Sequence, residues 1–334
     1  MHITKNLLIK TARNVIAERT FHNEEIVCAY LTGSLTGNNP LLGGVTDIDL
    51  IIVHATVPPK AREVVPLAEE FHLDIWHYPQ SIFIQPRKLR REPWIGSFIC
   101  HNPVLLYDTQ HFFEFTQAGA FSQFFSPINT IARARYFSSK ARQQWLKLQK
   151  ELDTYSRELV LGYLQILYDA GNAIACLTGT PLVERRFIPE LTERTQLLER
   201  PGLSGGLTDL YLPHEFPGEP WAGWLEDWRT ALHALGEKST CPAFLLPTRI
   251  NYYEKAIWSL SNENPPAALW ILLWTWTLAI NALPKRAPDG KPWRHFCTSL
   301  NLNRDQIKGR FTTLDIYLES IEETLDQWAA KNGV

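Results

Sequence analysis

The chain has 334 residues, which is enough for two domains of ordinary size. Apolar residues make up 45% and charged residues 20%, a balance typical of globular proteins that excludes a largely disordered chain. The formal net charge of −2 excludes a strong overall attraction to nucleic acid, so any polyanion site must be local.

The cysteines and the apolar stretches exclude further classes. The five cysteines lie far apart without a C-x-x-C pair, which excludes a zinc ribbon and argues against a disulfide framework. The chain opens on an amphipathic pattern, and its most membrane-like stretch, 267–283, is short and contains Thr275, Thr277 and Asn281. We therefore expect a buried helix there, and a cytoplasmic protein without a membrane partner.

Through about residue 110, the pattern predicts helix, strand, strand, helix, strand, helix and strand in turn. The first helix ends near Arg19, and the buried strand IVCAYLTGS follows it. TDIDLIIVHA is a second strand, PPKAREVVPLAEEF reads as a helix begun by prolines, and HLDIWHYP is a third, short strand. After the basic segment QPRKLRREPW, the run NPVLLYD predicts a strand that ends at Asp108.

From about Pro127 the pattern is helical. Ser138 or Ser139 is predicted to cap a long helix that stops near Gly179. A loop-rich stretch over 201–220 precedes helices at roughly 221–235, 248–261, 267–283 and 312–331. We therefore predict an α+β protein: a mixed sheet flanked by helices over residues 1–125, then an all-α helical bundle over residues 126–334.

Two aspartates stand one residue apart in the second strand. Residues two apart in a strand project from the same face, so Asp47 and Asp49 aim their carboxylates at one point. Converging carboxylates repel each other unless they share a cation, and hard oxygen ligands suit Mg²⁺. Asp74 in HLDIW can reach the same centre if the two strands pair. Three carboxylates can hold two metal ions about 3.5–4 Å apart, which suits in-line phosphoryl displacement.

A Gly-Ser step before this strand completes the predicted site. Gly33 allows close backbone approach at a strand-to-helix turn. Ser34, with the backbone N–H groups at the start of the following helix, can bind a terminal phosphate. Mg²⁺ bridging the carboxylates to a nucleoside triphosphate would then balance the charge of the aspartates.

The order of these parts resembles the signature of the DNA polymerase β-like nucleotidyltransferase superfamily. The parts are Gly33-Ser34, twelve intervening residues, Asp47 and Asp49 in D-I-D-L, and Asp74 on a later strand. The resemblance covers about residues 5–110, although the loop after Ser34 lacks the small-Arg-Gly step common there. It implies a nucleotidyltransferase-type sheet, two Mg²⁺ ions, and transfer of a nucleoside monophosphate from a triphosphate donor, most commonly ATP, with pyrophosphate leaving.

The helical half is similar to the C-terminal domains of antibiotic adenylyltransferases over YLQILYDAGNAIACLTGTPLVERRF. That similarity implies an acceptor held between the domains and a basic residue that reaches the triphosphate, for which Lys140 is the candidate. It also implies a carboxylate general base, for which the candidates are Glu158, Asp169 and Glu184. Simple surface charge is an open alternative for Lys140, for Arg142 beside it, and for the pair Arg185 and Arg186.

Several other features have ordinary structural interpretations. His54, His72 and His77 have no zinc-ligand spacing and need not face one way on their strands. The basic segments 87–91 and 133–142 are solvated faces by default, and they are the first places to look for RNA contacts. The tryptophans of the apolar stretch, at 270, 274 and 276, are expected in the core rather than in a stacking platform.

Three functions follow. The first is adenylyl transfer to a hydroxyl of a small molecule such as an antibiotic. The second is transfer to tRNA or protein, including by a toxin, and it predicts that the segments 87–91 and 133–142 share a face with the active site. The third is an inactive scaffold, which the intact aspartate set argues against. The sequence leaves the acceptor, the preferred base and the oligomeric state undetermined.

Overall fold

The computed structural model describes residues 4–37, 39–213, 221–284 and 290–334. It is an α+β protein with a five-stranded mixed sheet and a mostly helical C-terminal part, which confirms the coarse fold class. The chain divides into two compact units, Met1–Asn129 and Thr130–Val334. The division falls inside one helix, and the predicted boundary at 125/126 lies just before it.

The N-terminal unit contains all the strands of the sheet. Its elements are α1 (Lys5–Phe21), β1 (Ile26–Thr32), β2 (Thr46–His54), β3 (Arg62–Pro66), β4 (Phe71–Pro79), α2 (Pro86–Arg91), α3 (Ile95–Cys100), β5 (Val104–Asp108) and α4 (Phe112–Phe121). The strand order is β3-β4-β2-β1-β5. β2 and β4 are parallel, whereas the other neighbouring strands are antiparallel.

Strand alternation divides the core of this unit between the two faces of the sheet. On one face, Ile48 and Leu50 of β2 pack in a cluster with Leu8 and Ile16 of α1. On the other face, Ile51 of β2 belongs to a cluster that includes residues of α3 and α4. Because side chains alternate along a strand, Asp47 and Asp49 lie on the same face as Ile51.

The helix predicted for PPKAREVVPLAEEF is wrong, because this segment contains the edge strand β3. Val64 and Val65 are β-branched, and β4 offers them an antiparallel partner. Charged residues and a terminal proline are typical of edge strands, and here Arg62 begins β3 and Pro66 ends it. This difference matters for the aspartate site, because β3 places the cation Arg62 beside Asp74 of β4.

The C-terminal unit is helical, and its described residues contain no strand. Its helices are α5 (Pro127–Gln149), α6 (Arg157–Ala175), α7 (Phe187–Leu197), α8 (Gly202–Tyr211), α9 (Trp221–Gly236), α10 (Ile250–Ser261), α11 (Pro265–Ala282), α12 (Gly290–Ser299) and α13 (Arg304–Lys331). The four later helices predicted from the sequence correspond to α9, α10, α11 and α13.

Two predictions within this unit are wrong. Ser138 and Ser139 lie inside α5, and the cap of the next helix is Ser156, whose hydroxyl accepts a hydrogen bond from Leu159 N at 3.1 Å. Part of the predicted loop forms α8, and residues 214–220 of that loop lie outside the described residues. The buried α8 side chains Leu203 and Leu207 explain why a glycine-rich segment is helical here, since packing outweighs propensity.

The apolar helix α11 is a core helix, as predicted. Trp270 and Trp276 are fully buried and Trp274 is 9% exposed. None of the described helices has both the length and the apolar character needed to cross a bilayer. All five cysteines lie among the described residues, and none forms a disulfide.

Candidate metal centre

The three predicted aspartates meet at one place. Asp47 and Asp49 project from one face of β2, and the parallel register pairs Asp49 directly with Asp74 of β4. One carboxylate oxygen of each aspartate lies within 4.8 Å of those of the other two. Asp47 and Asp74 are buried, and Asp49 is partly exposed. This group could bind a metal ion, because carboxylate oxygens at such separations are suitable ligands for a hard divalent cation.

Gly33 leaves the space that the carboxylate of Asp49 occupies. Thr32 at the end of β1 pairs with Asp49 of β2, so the next residue turns directly over the carboxylate. Gly33 has φ +72°, and a Cβ there would lie 2.0 Å from Asp49 Oδ2. Only glycine therefore combines this backbone conformation with this close approach.

Ser34 lies in the turn that follows β1. This turn is a single 3-10 turn, Gly33–Thr36, and not the start of an α-helix. So short an element aligns few peptide dipoles, so helix-dipole attraction for a phosphate is weaker here than the sequence predicted. The Oγ of Ser34 lies 3.2 Å from Oγ1 of Thr46, which holds the serine beside the start of β2.

Arg62 is a site residue that the sequence reasoning missed. Its Nε donates to Asp74 Oδ1 at 2.8 Å and its Nη2 donates to Asp74 Oδ2 at 2.6 Å, a two-pronged ion pair. The guanidinium also lies over the ring of Trp76, with its carbon 4.4 Å from the ring centroid. The alternation in AREVVP could have indicated this contact, but only if the segment had been read as a strand antiparallel to β4.

The three neighbouring histidines do not face one way, as expected. His72 lies on the aspartate face, with its Nδ1 4.0 Å from Asp47 Oδ1. His54 and His77 lie on the opposite face, where His54 Nε2 and His77 Nδ1 are 2.9 Å apart. Burial lowers the pKa of both His54 and His77, and the neighbouring His77 lowers the pKa of His54 further. They therefore form a neutral hydrogen-bonded pair.

Lys140 and Asp169, two candidates from the C-terminal unit, are paired with each other. Lys140 Nζ lies 3.2 Å from Asp169 Oδ1, with the lysine exposed and the aspartate buried. Burial raises the pKa of Asp169, and the charge of Lys140 offsets part of that rise. Of the other base candidates, Glu158 pairs with Arg157 and Glu184 accepts a long hydrogen bond from Tyr253 Oη at 3.4 Å. Asp169 is the most buried of the three.

The basic segments are largely engaged within their own units. In the segment 87–91, Arg90 donates to Gly119 O at 2.6 Å and Arg91 donates to Asn129. In the segment 133–142, Arg133 is buried, while the pairs are Arg135 with Asp326, Lys140 with Asp169, and Arg142 with Asp315 and Glu322. Arg87, Lys88 and Arg91 are nevertheless exposed, so segment 87–91 retains accessible cations for a phosphate backbone.

The pair Arg185 and Arg186 precedes α7. Arg185 is 4% exposed, and its guanidinium carbon lies 3.6 Å from the ring centroid of Tyr252. Burial lowers the pKa of Arg186. Arg185 is thus a packed residue of the helical unit and not a surface charge.

Comparison with protein-family models gives no match to this chain, and comparison with curated proteins gives none either. The geometry of the aspartates and their neighbours is therefore the basis for assigning a function.

Proposed function

We propose that the aspartate site of the N-terminal unit is the centre of a metal-dependent nucleotidyltransferase. The observation that carries the proposal is the convergence of Asp47, Asp49 and Asp74, whose oxygens lie within 4.8 Å of one another. Gly33 adds support, because its missing Cβ is what leaves room for the carboxylate of Asp49. A carboxylate cluster costs folding free energy through repulsion, and a bound cation is the simplest function that offsets this cost.

The donor set fits Mg²⁺. All three side chains offer oxygen, and Mg²⁺ is usually bound by one or two carboxylates together with substrate phosphates and water. When bound, Mg²⁺ supplies charge neutralisation for a triphosphate and for the leaving pyrophosphate. Asp47 and Asp49 would hold it, and Asp74 is adjacent. The backbone of Gly33 and the hydroxyl of Ser34 would contact the β- and γ-phosphates.

The proposed reaction is in-line displacement at the α-phosphorus. The oxygen of an acceptor hydroxyl attacks the α-phosphorus, the bond from that phosphorus to the β-bridging oxygen breaks, and pyrophosphate leaves. The hydroxyl proton passes to a carboxylate base. Lys140 and Asp169 of the helical unit are paired with each other at 3.2 Å, and their roles as triphosphate contact and base stay predictions from the sequence.

We propose a small-molecule hydroxyl, such as that of an antibiotic, as the acceptor. Arg133 is buried, and Arg135 and Arg142 pair with carboxylates, so segment 133–142 offers few cations to the backbone of tRNA. A macromolecular acceptor such as tRNA is the alternative, and the exposed cations Arg87, Lys88 and Arg91 of segment 87–91 are where it would be recognised. ATP is the proposed donor.

The test is transfer of radiolabel from each α-³²P nucleoside triphosphate, with Mg²⁺, into three pools: an aminoglycoside and lincosamide mixture, bulk tRNA, and total cell protein. Label in the drug pool supports the proposal, whereas label in tRNA or protein identifies the alternative acceptor. Absence of both transfer and triphosphate binding would contradict nucleotidyl transfer and favour a scaffold.

Asp49→Asn is the decisive variant. Removing a proposed ligand should lower transfer by at least about 10²-fold, since even residues that only support ligands cost up to that much. Without metal, the free energy of unfolding of Asp49→Asn should equal that of the wild type or exceed it by about 1 kcal/mol, because the variant loses one repulsion between charges about 4 Å apart in water. Asp108→Asn is the matched control, because Asp108 lies outside the aspartate cluster and its Oδ1 accepts a hydrogen bond from Phe113 N at 2.9 Å, which an asparagine oxygen can also accept. Wild-type transfer by Asp49→Asn would refute the assignment.

A further inference from the structure

Arg62 forms an ion pair with Asp74, and this pair affects the number of metal ions that the aspartate site can bind. Both oxygens of Asp74 accept hydrogen bonds from the guanidinium, at 2.8 and 2.6 Å. The Asp74 side chain is 3% exposed and that of Arg62 is 22% exposed, so solvent screens the pair weakly. The carboxylate is thereby neutralised by the protein itself.

The strand pairing holds this arrangement in place. Arg62 of β3 pairs with Trp76 of β4, two residues beyond Asp74 and on the same face. The guanidinium lies over the Trp76 ring while its nitrogen atoms reach back to Asp74. Its neighbour Glu63 points to the opposite face, where it pairs with Arg19 and Lys60. Packing on one side and hydrogen bonds on the other therefore orient the arginine toward Asp74.

The charges of the cluster then favour a single ion. Three carboxylates and one guanidinium leave two negative charges, which one divalent ion balances. A second divalent ion would bring the cluster to two positive charges with Arg62 present but to only one without it. Arg62 already holds both oxygens of Asp74, so the arginine opposes the second ion. A bound triphosphate would reverse this balance, because its own charge compensates a second cation.

We propose that Arg62 acts as the resident cation of Asp74, so that without nucleotide the site takes one divalent ion on Asp47 and Asp49. This inference rests on the proposed function and changes its expected ion count from two to one in the nucleotide-free protein. Arg62 is a positioning residue, since it acts on the metal through Asp74. Asp74 becomes available to a second ion when Arg62 is displaced or absent.

Mn²⁺ alone serves as the probe, counted by electron paramagnetic resonance on the full chain at pH 7.5 without nucleotide. We expect one Mn²⁺ per wild-type chain and two per Arg62→Gln chain, with the second ion bound at least tenfold more tightly than in wild type. The double variant Arg62→Gln/Asp74→Asn should return to one ion, because it removes both the arginine and the ligand that the arginine covered. If Arg62 had only a structural role, the number of bound Mn²⁺ ions would not rise in Arg62→Gln and return to one in the double variant.

Arg62→Lys and Arg19→Gln complete the design. Lysine keeps the charge and protects the fold, but it cannot hold both oxygens, so the second ion should bind with intermediate affinity. Arg19→Gln removes a cation from the opposite face of the sheet and should keep the wild-type count. Two equally tight ions in wild type, or one in Arg62→Gln with a native circular dichroism spectrum, would overturn the inference alone. No Mn²⁺ in any variant would overturn the proposed function as well.

Discussion

At the scale of single residues, Gly33 shows how closely the backbone and the proposed metal site are fitted. Its φ of +72° and the position of the Asp49 carboxylate, 2.0 Å from where a Cβ would be, are two separate requirements for glycine. Gly44 has a similar φ of +78°, but a Cβ there would meet nothing within 4 Å. A comparison of alanine substitutions at the two glycines therefore separates the cost of backbone strain from the cost of steric overlap with Asp49.

Gly33→Ala should destabilise the protein more than Gly44→Ala does. We expect Gly44→Ala to cost about 1–2 kcal/mol through strain alone, and Gly33→Ala to cost at least about 1 kcal/mol more because Asp49 must move. Displacement of Asp49 should also weaken Mn²⁺ binding at least tenfold in Gly33→Ala. Urea unfolding and Mn²⁺ titration measure the two effects, and equal losses in both variants would contradict this interpretation.

At the scale of elements, α11 is held in the helical unit by buried hydrogen bonds as well as by its tryptophans. Trp228 Nε1 of α9 donates to Thr275 Oγ1 of α11 at 3.0 Å, and Trp293 Nε1 of α12 donates to Thr277 Oγ1 at the same distance. The threonines that interrupt the apolar stretch in the sequence are thus the acceptors for buried indoles.

Thr275→Val should lower the unfolding free energy by about 1–3 kcal/mol, because it leaves the buried Trp228 N–H without its acceptor. Urea denaturation measures this loss. Thr230→Val is the matched control, since Thr230 is an exposed threonine of α9 that bonds only within its own helix. If the two variants lost equal stability, the buried hydrogen bond would not be the cause.

The pairing of β2 with β4 also creates a pH dependence on the face opposite the aspartates. His54 and His77 are 6% exposed, and burial lowers the pKa of each. His77 Nε2 also lies 3.1 Å from Glu63 Oε1. Burial alone would raise the pKa of Glu63, but its hydrogen bonds from Lys60 and Arg19 lower it to about 2. Glu63 therefore stays charged throughout the titration of the histidines.

Stability should fall as the pH drops below about 6.5. The unfolded histidines bind protons first, so protonation favours the unfolded state by about 1.4 kcal/mol per unit of pKa difference. The stabilisation is complete above the unfolded pKa and is lost as the pH falls through the folded values. In urea unfolding between pH 7.5 and 5.5, His77→Gln should show a smaller loss than wild type. The exposed His22→Gln serves as the control and should follow wild type.

At the scale of the whole molecule, the chain has two compact units, and all three proposed metal ligands belong to the first. The core clusters on the two faces of the sheet contain residues of that unit only. A ligand that binds the folded state alone stabilises it by about 2.7 kcal/mol at a hundredfold excess over its dissociation constant. We therefore expect metal binding to stabilise the sheet selectively.

Hydrogen exchange measured by mass spectrometry, with and without Mg²⁺, tests this expectation. Exchange should slow in β2 and β4 and stay unchanged in α11. Asp49→Asn should remove the slowing. Slowing that persists in Asp49→Asn would place the bound ion elsewhere.

Local pattern by itself determined much of this protein. The alternation in TDIDL placed Asp47 and Asp49 on one face, because the pleat of a strand has a period of two. The apolar run around Trp270 indicated a buried helix for a similarly local reason, since so much apolar surface must leave water. These features depend on neighbours in the sequence and were readable there.

Only the tertiary structure decided what meets these residues. Asp74 lies beside Asp49 because β2 and β4 are parallel in one particular register, and Arg62 reaches Asp74 because β3 is a strand rather than a helix. Segment 62–66 is short and carries a weak local preference, and its partner β4 supplies the hydrogen bonds that settle its state. Register and partner come from contacts between distant segments, and no local period encodes them.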